Sequence, residues 1–298
     1  KSLCTEIMTG PDVLNSLAGV LMRFRQRRFP ITADLRKYYL SVHLPKEDSD
    51  FMRFFFYEDP KDPKSPVVEY RVTTHIFGGI WSQSVAGHAI EQTIQEAFCN
   101  DEITEKEAKE IRRSLYSDDY VRSFDTIVEA VRSALQLVKI LERSGFHLAK
   151  FVSTEFAILQ KIPPKLRHPN IEDLDFKGKL ENVLGITWCI EDDTFRFAVD
   201  PDRIEDLTTR RKLLGCVASV FDPNGWISFI TTPAKLLIQQ SFRDQNKWDE
   251  PLSNLIMDRV EEWKNKTATL HDLHIPRRLS TFNCNDSTLD QQLHTFSD

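Results

Sequence analysis

No two cysteines in this sequence lie close enough to form a CxxC pair. The five cysteines, Cys4, Cys99, Cys189, Cys216 and Cys284, are odd in number and scattered along the chain. That spacing argues against a disulfide framework or a zinc site and fits a reducing compartment. No apolar run approaches the roughly 20 residues that a membrane-spanning helix needs, and no signal-peptide pattern opens the chain. A membrane partner is therefore not expected. A surplus of positive charge is lacking as well: the formal net charge is −6. That balance does not advertise nucleic acid, although nucleic-acid contacts depend on local stripes rather than on the sum. There is no internal repeat and no low-complexity tract.

What is present is core-forming material. Hydrophobic residues make up 41% and charged residues 28% of 298 positions, enough for two or more subdomains and too apolar for wholesale disorder. The chain starts at Lys1 without a methionine and stops at "LHTFSD", as a piece of a longer polypeptide would. Two basic clusters stand out, "RFRQRR" (Arg23, Arg25, Arg27, Arg28) and "TTRRK" (Arg210, Arg211, Lys212). Each reads as a solvated helix face or as a phosphate contact.

Periodicity orders the elements. Val13, Leu14, Leu17, Leu21 and Phe24 form a helical stripe that starts from Pro11-Asp12. In "PITADLRKYYLSVHLP", Ile31, Ala33 and Leu35 alternate with Thr32 and Asp34, and the strand rhythm continues through Tyr38, Leu40, Val42 and Leu44. "FMRFFFYED" and "VVEYRVTTHIF" read as strands joined by a turn-rich segment. Helical patterns follow at 82–97 and 104–113, and a long amphipathic one at 124–144 with Ile127, Val131, Leu135, Val138 and Leu141 as its stripe. "NVLGITWCIEDDTFRFAV" reads as a hairpin turning at Asp192-Asp193, and helices are expected at 209–221, 232–243 and 252–265. The order describes an α+β protein, with an antiparallel sheet carrying helices on one face, followed by a helical module.

Two adjacent aspartates interrupt this pattern. In "LYSDDYV", Asp118 and Asp119 sit between apolar residues at what reads as the tip of a tight hairpin. A surface turn accounts for such a pair without any chemistry. A metal site accounts for it too, because Mg²⁺ is hard and is held by one or two carboxylates together with substrate phosphates. Asp34, at the polar phase of the "ITADL" strand, is the third carboxylate that such a site requires. Its bland reading is a strand-end turn residue.

The sequence blocks then show a resemblance. "TADLRKYYLSV", "FGGIWSQSVAGHA" and "LYSDDYV" resemble motifs A, B and C of a reverse transcriptase. "GPDVLNSLAGVLMRFR", "GFHLAKFVST", "LGITWCIEDDTFRF", "TTRRKLLGCVASVFDPNGW" and "WDEPL" resemble the BEL/Pao branch of LTR retrotransposons. The resemblance implies a right-hand palm followed by a mainly helical thumb, and RNA-directed DNA polymerase activity by two-metal transfer from a dNTP to a primer 3′-OH. It implies Mg²⁺ (Mn²⁺ as a substitute) held by Asp34, Asp118 and Asp119, with a template–primer duplex of RNA or DNA as partner. Tyr39 matches the position that blocks a ribose 2′-OH. Phe77, Gly78 and Tyr116 match the nucleotide site, Lys150 matches a proton donor to pyrophosphate, and Arg210, Arg211 and Lys212 match a thumb contact to duplex phosphates.

The domains expected on this basis are a palm with partial fingers over 1–160 and a linker with a primer-grip-like hairpin over 161–207. A thumb or connection over 208–287 and the start of an RNase H-like domain over 288–298, with Asp298 as its first metal ligand, complete the set. A larger Pol polyprotein with protease, RNase H and integrase is implied, located in a cytoplasmic particle or the nucleus, with the isolated piece a weak polymerase. Gln83 departs from the family's serine–proline pattern in motif B, and Trp81 replaces a small residue. These departures also leave open a domesticated retroelement piece that serves as a binding module.

Overall fold

The computed structural model describes residues 3–171, 178–244 and 247–279. Cys284, the expected 288–298 segment and Asp298 lie outside the described residues. A one-turn helix α1 (Leu3–Glu6) is followed by non-helical chain up to Ser16, whose hydroxyl accepts from Gly19 N and caps α2 (Leu17–Phe24). The helix therefore starts later than the Val13–Leu14 stripe suggested. Both of those side chains are exposed, and Asn15 instead donates to the Arg112 and Leu115 carbonyls at 2.8 and 2.7 Å.

β1 (Phe29–Arg36) shows the alternation read from the sequence: Ile31, Ala33 and Leu35 are buried, while Thr32 and Asp34 are half-buried and Arg36 is exposed. The strand does not run on through Leu44. Lys37 takes a left-handed φ of 55°, and Tyr39–Ser41 close into a 3₁₀ turn. After the short α3 (Lys46–Ser49), β2 (Arg53–Tyr57) and β3 (Val67–Arg71) form a separate exposed hairpin. Then come α4 (Ser82–Cys99), α5 (Glu105–Arg113), the hairpin of β4 (Leu115–Tyr116) and β5 (Asp119–Phe124), α6 (Ile127–Arg143) and β6 (His147–Val152). α5 starts from a capping box between Thr104 and Glu107.

The first sheet is antiparallel, in the order β4-β5-β1-β6. α6 packs on β1, β5 and β6, and α4 packs on α6. The buried face of α6 is Ala130, Ala134, Leu137, Val138, Ile140 and Leu141; Leu135, expected in its stripe, faces solvent.

Beyond α7 (Phe156–Lys161), β7 (Leu180–Val183), β8 (Ile186–Cys189) and β9 (Thr194–Arg196) build a second antiparallel sheet, which β10 (Ile275–Pro276) extends on β9. The β7–β8 connection is Leu184-Gly185, with φ of 51° and 87°. Positive φ at both central residues suits a tight two-residue hairpin. After α8 (Pro201–Ile204), α9 (Arg210–Ser219), α10 (Ser228–Asp244) and α11 (Asn254–Thr267) pack as a helical layer, α10 against both others.

One core joins the two sheets. Trp188 and Phe195 are fully buried, and Trp188 meets Phe24 of α2 edge-on at 5.4 Å. A buried polar clasp lies beside them. Arg277 donates twice to Asp193, at 2.8 Å each, and to the carbonyls of Phe24, Arg27 and Arg28. A fully buried guanidinium is tolerable only with its donors satisfied in this way.

Candidate catalytic site

Asp34 on β1 stands directly opposite Asp119 on β5 in the ladder. Cβ atoms of such facing pairs lie about 4.5–5.5 Å apart. Tyr116 pairs with Asp119 across the β4–β5 hairpin, which leaves Ser117 and Asp118 as a two-residue connection. Ser117 has φ 53°, left-handed for a residue with a side chain and costly by on the order of 1 kcal/mol. Two hydrogen bonds hold this tip: Leu35 N donates to Asp118 O at 2.7 Å, and Ser117 Oγ donates to Gln83 Oε1 at 3.0 Å.

The three carboxylates act on one another. Burial first, then the charges of Asp118 and Asp34, push the Asp119 carboxyl up to about 7, against the opposing pull of Lys150. Lys150 Nζ lies 3.2 Å from Asp34 Oδ1. A register shift between Thr32 and Asp34 of β1 explains that reach. Asp34 pairs with Ala149 and Thr32 pairs with Val152, so β6 carries one extra residue. Lys150 lies in this bulge with φ 55°. In a regular strand Lys150 would face away from its neighbour Ala149's side of the sheet; the bulge re-aims it.

Beside the carboxylates lies a cavity of about 250 Å³, bounded by Thr32, Asp34, Asp119 and Lys150 on one side and by Asn182, Val183 and Leu184 of the β7–β8 hairpin on the other. Among the described residues, no group of three or more His, Cys, Asp or Glu side chains forms a ready metal cage. The donor chemistry nonetheless fits a hard divalent cation. Asp34, Asp118 and Asp119 offer only carboxylate oxygens, burial beside two like charges raises the Asp119 carboxyl to about 7, and such ions take further ligands from substrate phosphates.

A second cluster adjoins the hairpin tip. Tyr39 OH donates to Gln83 Oε1 at 2.8 Å, and its ring meets Phe77 edge-on at 5.0 Å. Gln83 is thus a shared acceptor for Tyr39 and Ser117, the residue preceding Asp118. Sequence reasoning noted Gln83 only as a departure from a motif. Phe77 is 65% exposed, and Gly78 holds φ 86° with open space around it, a conformation that glycine takes at little cost. Tyr116 is half-buried against the core beneath the hairpin.

The basic triad of α9 differs from expectation. Arg210 is 2% exposed: it donates to Ser241 Oγ and O, and its guanidinium stacks 4.0 Å from the Phe242 ring centroid. It cannot reach duplex phosphates. Arg211 is exposed but paired with both carboxylate oxygens of Asp249, and Lys212 is paired with Asp206. Arg211 and Lys212 stay at the surface in exposed ion pairs, so the departure from the expected phosphate contact is at Arg210.

The comparisons with known proteins accord with this architecture. A family described as the Pao retrotransposon-like RNaseH-like domain matches residues 209–298. Among curated proteins none matches. The foamy viral protease-reverse transcriptase in complex with RNA/DNA hybrid superposes with a TM-score of 0.50 at 14% identity, over 89% of this chain and 31% of that one. The dRH form of the foamy viral enzyme in complex with ds DNA gives a TM-score of 0.53 at 15% identity, over 90% and 39%. The chain thus spans about a third of the length of those structures. It is a mixed α/β protein with antiparallel sheets whose fold resembles the retroviral reverse transcriptase region. The family match is confined to residues 209–298. The described part of the matched stretch is α9, α10, α11 and β10.

Proposed function

We propose that the first sheet is a reverse-transcriptase palm, that the helical layer is its thumb or connection, and that the chain carries RNA-directed DNA polymerase chemistry. The observation that carries this reading is the direct opposition of Asp34 and Asp119 beside Asp118, with Asp119 displaced to about 7 in the absence of a cation. Two-metal phosphoryl transfer requires carboxylates that converge on one cleft, and a perturbed carboxyl such as Asp119 is a mark of a functional site. Asp34, Asp118 and Asp119 would hold Mg²⁺. A cation held there would supply a lowered pKa at a primer 3′-OH and charge neutralisation at the leaving pyrophosphate.

The chain's own residues supply position. The β7–β8 hairpin, across the 250 Å³ cavity from Asp34 and Asp119, orients the primer end toward the carboxylates. Tyr39, fixed by Gln83 and Phe77, stands as a wall that excludes a ribose 2′-OH by clash, a case of specificity by steric rejection. Lys150 holds a proton at Nζ that departing pyrophosphate can take. Arg211 and Lys212 reach duplex phosphates only by leaving Asp249 and Asp206.

The alternative, a retroelement-derived binding module, draws on one observation: Lys150 already neutralises Asp34. A primer-extension assay separates the two. The chain joined to the segment that precedes it in its source reading frame should extend a DNA primer on an RNA template with Mg²⁺ and dNTPs. Asp118→Asn should abolish that extension. Extension that survives Asp118→Asn and Asp119→Asn, or none from the joined chain, would leave the binding module as the better account.

A further inference from the structure

The chain between α9 and α10 leaves the helical layer and reaches back to the second sheet. α9 ends at Ser219, and α10 begins at Ser228. Between them the carboxylate of Asp222 pins two successive amides, accepting from Trp226 N at 2.9 Å and from Ile227 N at 2.8 Å. A short acidic side chain bonded to nearby backbone in this way fixes the shape of a loop. The Trp226 ring stacks on Phe195 of β9 at 5.1 Å, the Arg25 guanidinium lies 4.7 Å from the centre of the same ring, and Ile227 is fully buried. The loop is thus tied to β9 and to the end of α2.

Phe221 precedes this anchor, and its ring is 45% exposed, so core burial is not its main part. What the ring covers is Gly185, at the tip of the β7–β8 hairpin. A Cβ added to Gly185 would fall 2.7 Å from Phe221 Cε1 and 2.9 Å from Cδ1, closer than such atoms approach. The ring occupies the space that glycine leaves open. Gly185 therefore serves twice, in its φ of 87° and in admitting the ring. Asn182 holds the same turn from within the hairpin, its Oδ1 accepting from Gly185 N at 2.7 Å. Asn182 and Leu184 in turn line the cavity that faces Asp34 and Asp119. A displaced turn is a displaced wall of that cavity.

We propose that Phe221 is a positioning residue. It acts through Leu184-Gly185 and sets how far the hairpin stands from the carboxylates. The proposal rests on the polymerase reading, in which this cavity receives a primer end, and adds the residue outside the hairpin that holds it in place. A misplacement of about 1 Å at a reacting group costs on the order of 100-fold in rate. Duplex affinity comes mainly from phosphate contacts, which do not pass through this turn. Loosening the turn should therefore appear in the rate and not in binding.

Hydrogen exchange on residues 1–298 in EDTA reads the turn without metal, nucleotide or catalysis. Phe221→Ala should speed exchange of the Gly185 amide about tenfold and leave the β1 amides unchanged. Phe221→Tyr keeps the ring and should restore the wild-type rate. Phe229→Ala, at an exposed phenylalanine of α10, should change nothing. Single-turnover primer extension by the joined chain reads the consequence. There Phe221→Ala should lower the maximal rate about tenfold with duplex affinity held within about twofold, and Phe221→Tyr should recover it. Unchanged exchange at Gly185, or faster exchange spread equally over β1, would overturn the proposal. So would a loss of duplex affinity as large as the loss of rate. Absence of extension from the wild type, with exchange behaving as expected, would instead sink the polymerase reading and leave Phe221 standing as the clamp on the hairpin.

Discussion

Asp119→Asn should make the metal-free protein more stable at pH 8, although it removes a residue assigned to catalysis. Asp119 is displaced from 3.8 to about 7, chiefly by burial and then by Asp118 and Asp34. That displacement corresponds to about 4 kcal/mol at 1.36 kcal/mol per pH unit, and the partial contact of the side chain with water reduces it to about 2 kcal/mol. The sign follows from proton counting. Between about pH 4 and 7 the native state keeps a proton on Asp119 that the unfolded chain has released. Native stability therefore falls as pH rises through that window and levels off above it. The asparagine variant lacks this loss. Urea unfolding of both proteins in EDTA at pH 4.5, 6, 7 and 8 should give nearly equal stabilities at the lowest pH and a gap of about 2 kcal/mol in favour of the variant at the highest. Adding Mn²⁺ at pH 8 should close or reverse the gap, because only the wild type gains from binding. A variant less stable than wild type at pH 8 without metal, or a gap independent of pH, would refute the electrostatic reasoning.

Further outcomes follow from the neighbouring residues. Gln83→Ala removes the acceptor shared by Tyr39 and Ser117 and should cost about 1–2 kcal/mol in urea unfolding; a change below about 0.3 kcal/mol would mean the bridge carries no weight. Tyr39→Ala in the polymerase-competent chain should raise ribonucleotide incorporation relative to deoxyribonucleotide, and an unchanged ratio would reduce Tyr39 to a packing residue. Arg277→Ala takes the shared donor from three carbonyls and leaves Asp193, half-buried, with Trp188 Nε1 as partner; it should destabilise by about 2–4 kcal/mol, measured by the same unfolding, whereas Arg203→Ala at an exposed pair should cost under about 1 kcal/mol.

How much of this was legible in the sequence depends on the range of the interaction. The Ile31–Ala33–Leu35 alternation and the Asp118–Asp119 turn rest on period and on local turn chemistry, and the tight hairpin follows from them, whereas the pairing of Asp34 with Asp119 was expected only from the resemblance. Lys150 was singled out only by resemblance; its reach to Asp34 depends on a bulge in β6 that no residue pattern announces. The strand rhythm past Arg36 was misleading because Lys37 turns left-handed and Tyr38 is buried from a turn rather than a strand. Arg210 was read as solvated because charge patterning counts arginine as polar, whereas its guanidinium is satisfied by Ser241 and stacked on Phe242. The two-residue turn at Leu184-Gly185 was missed in favour of the one at Asp192-Asp193, although its glycine was visible. The Arg277 clasp joins residues 84 and about 250 positions apart, beyond any local signal.

The central claim is that Asp34, Asp118 and Asp119 form one cation centre on a palm sheet, and anomalous scattering from Mn²⁺-soaked crystals tests it most directly. The account predicts Mn²⁺ at bonding distance, about 2.0–2.3 Å, from Asp34 and at least one of Asp118 and Asp119, with the Lys150 ammonium moved off Asp34. No Mn²⁺ at this position, or an Asp34 carboxylate more than about 8 Å from both others, would contradict it, since two-metal sites hold their ions only about 3.5–4 Å apart.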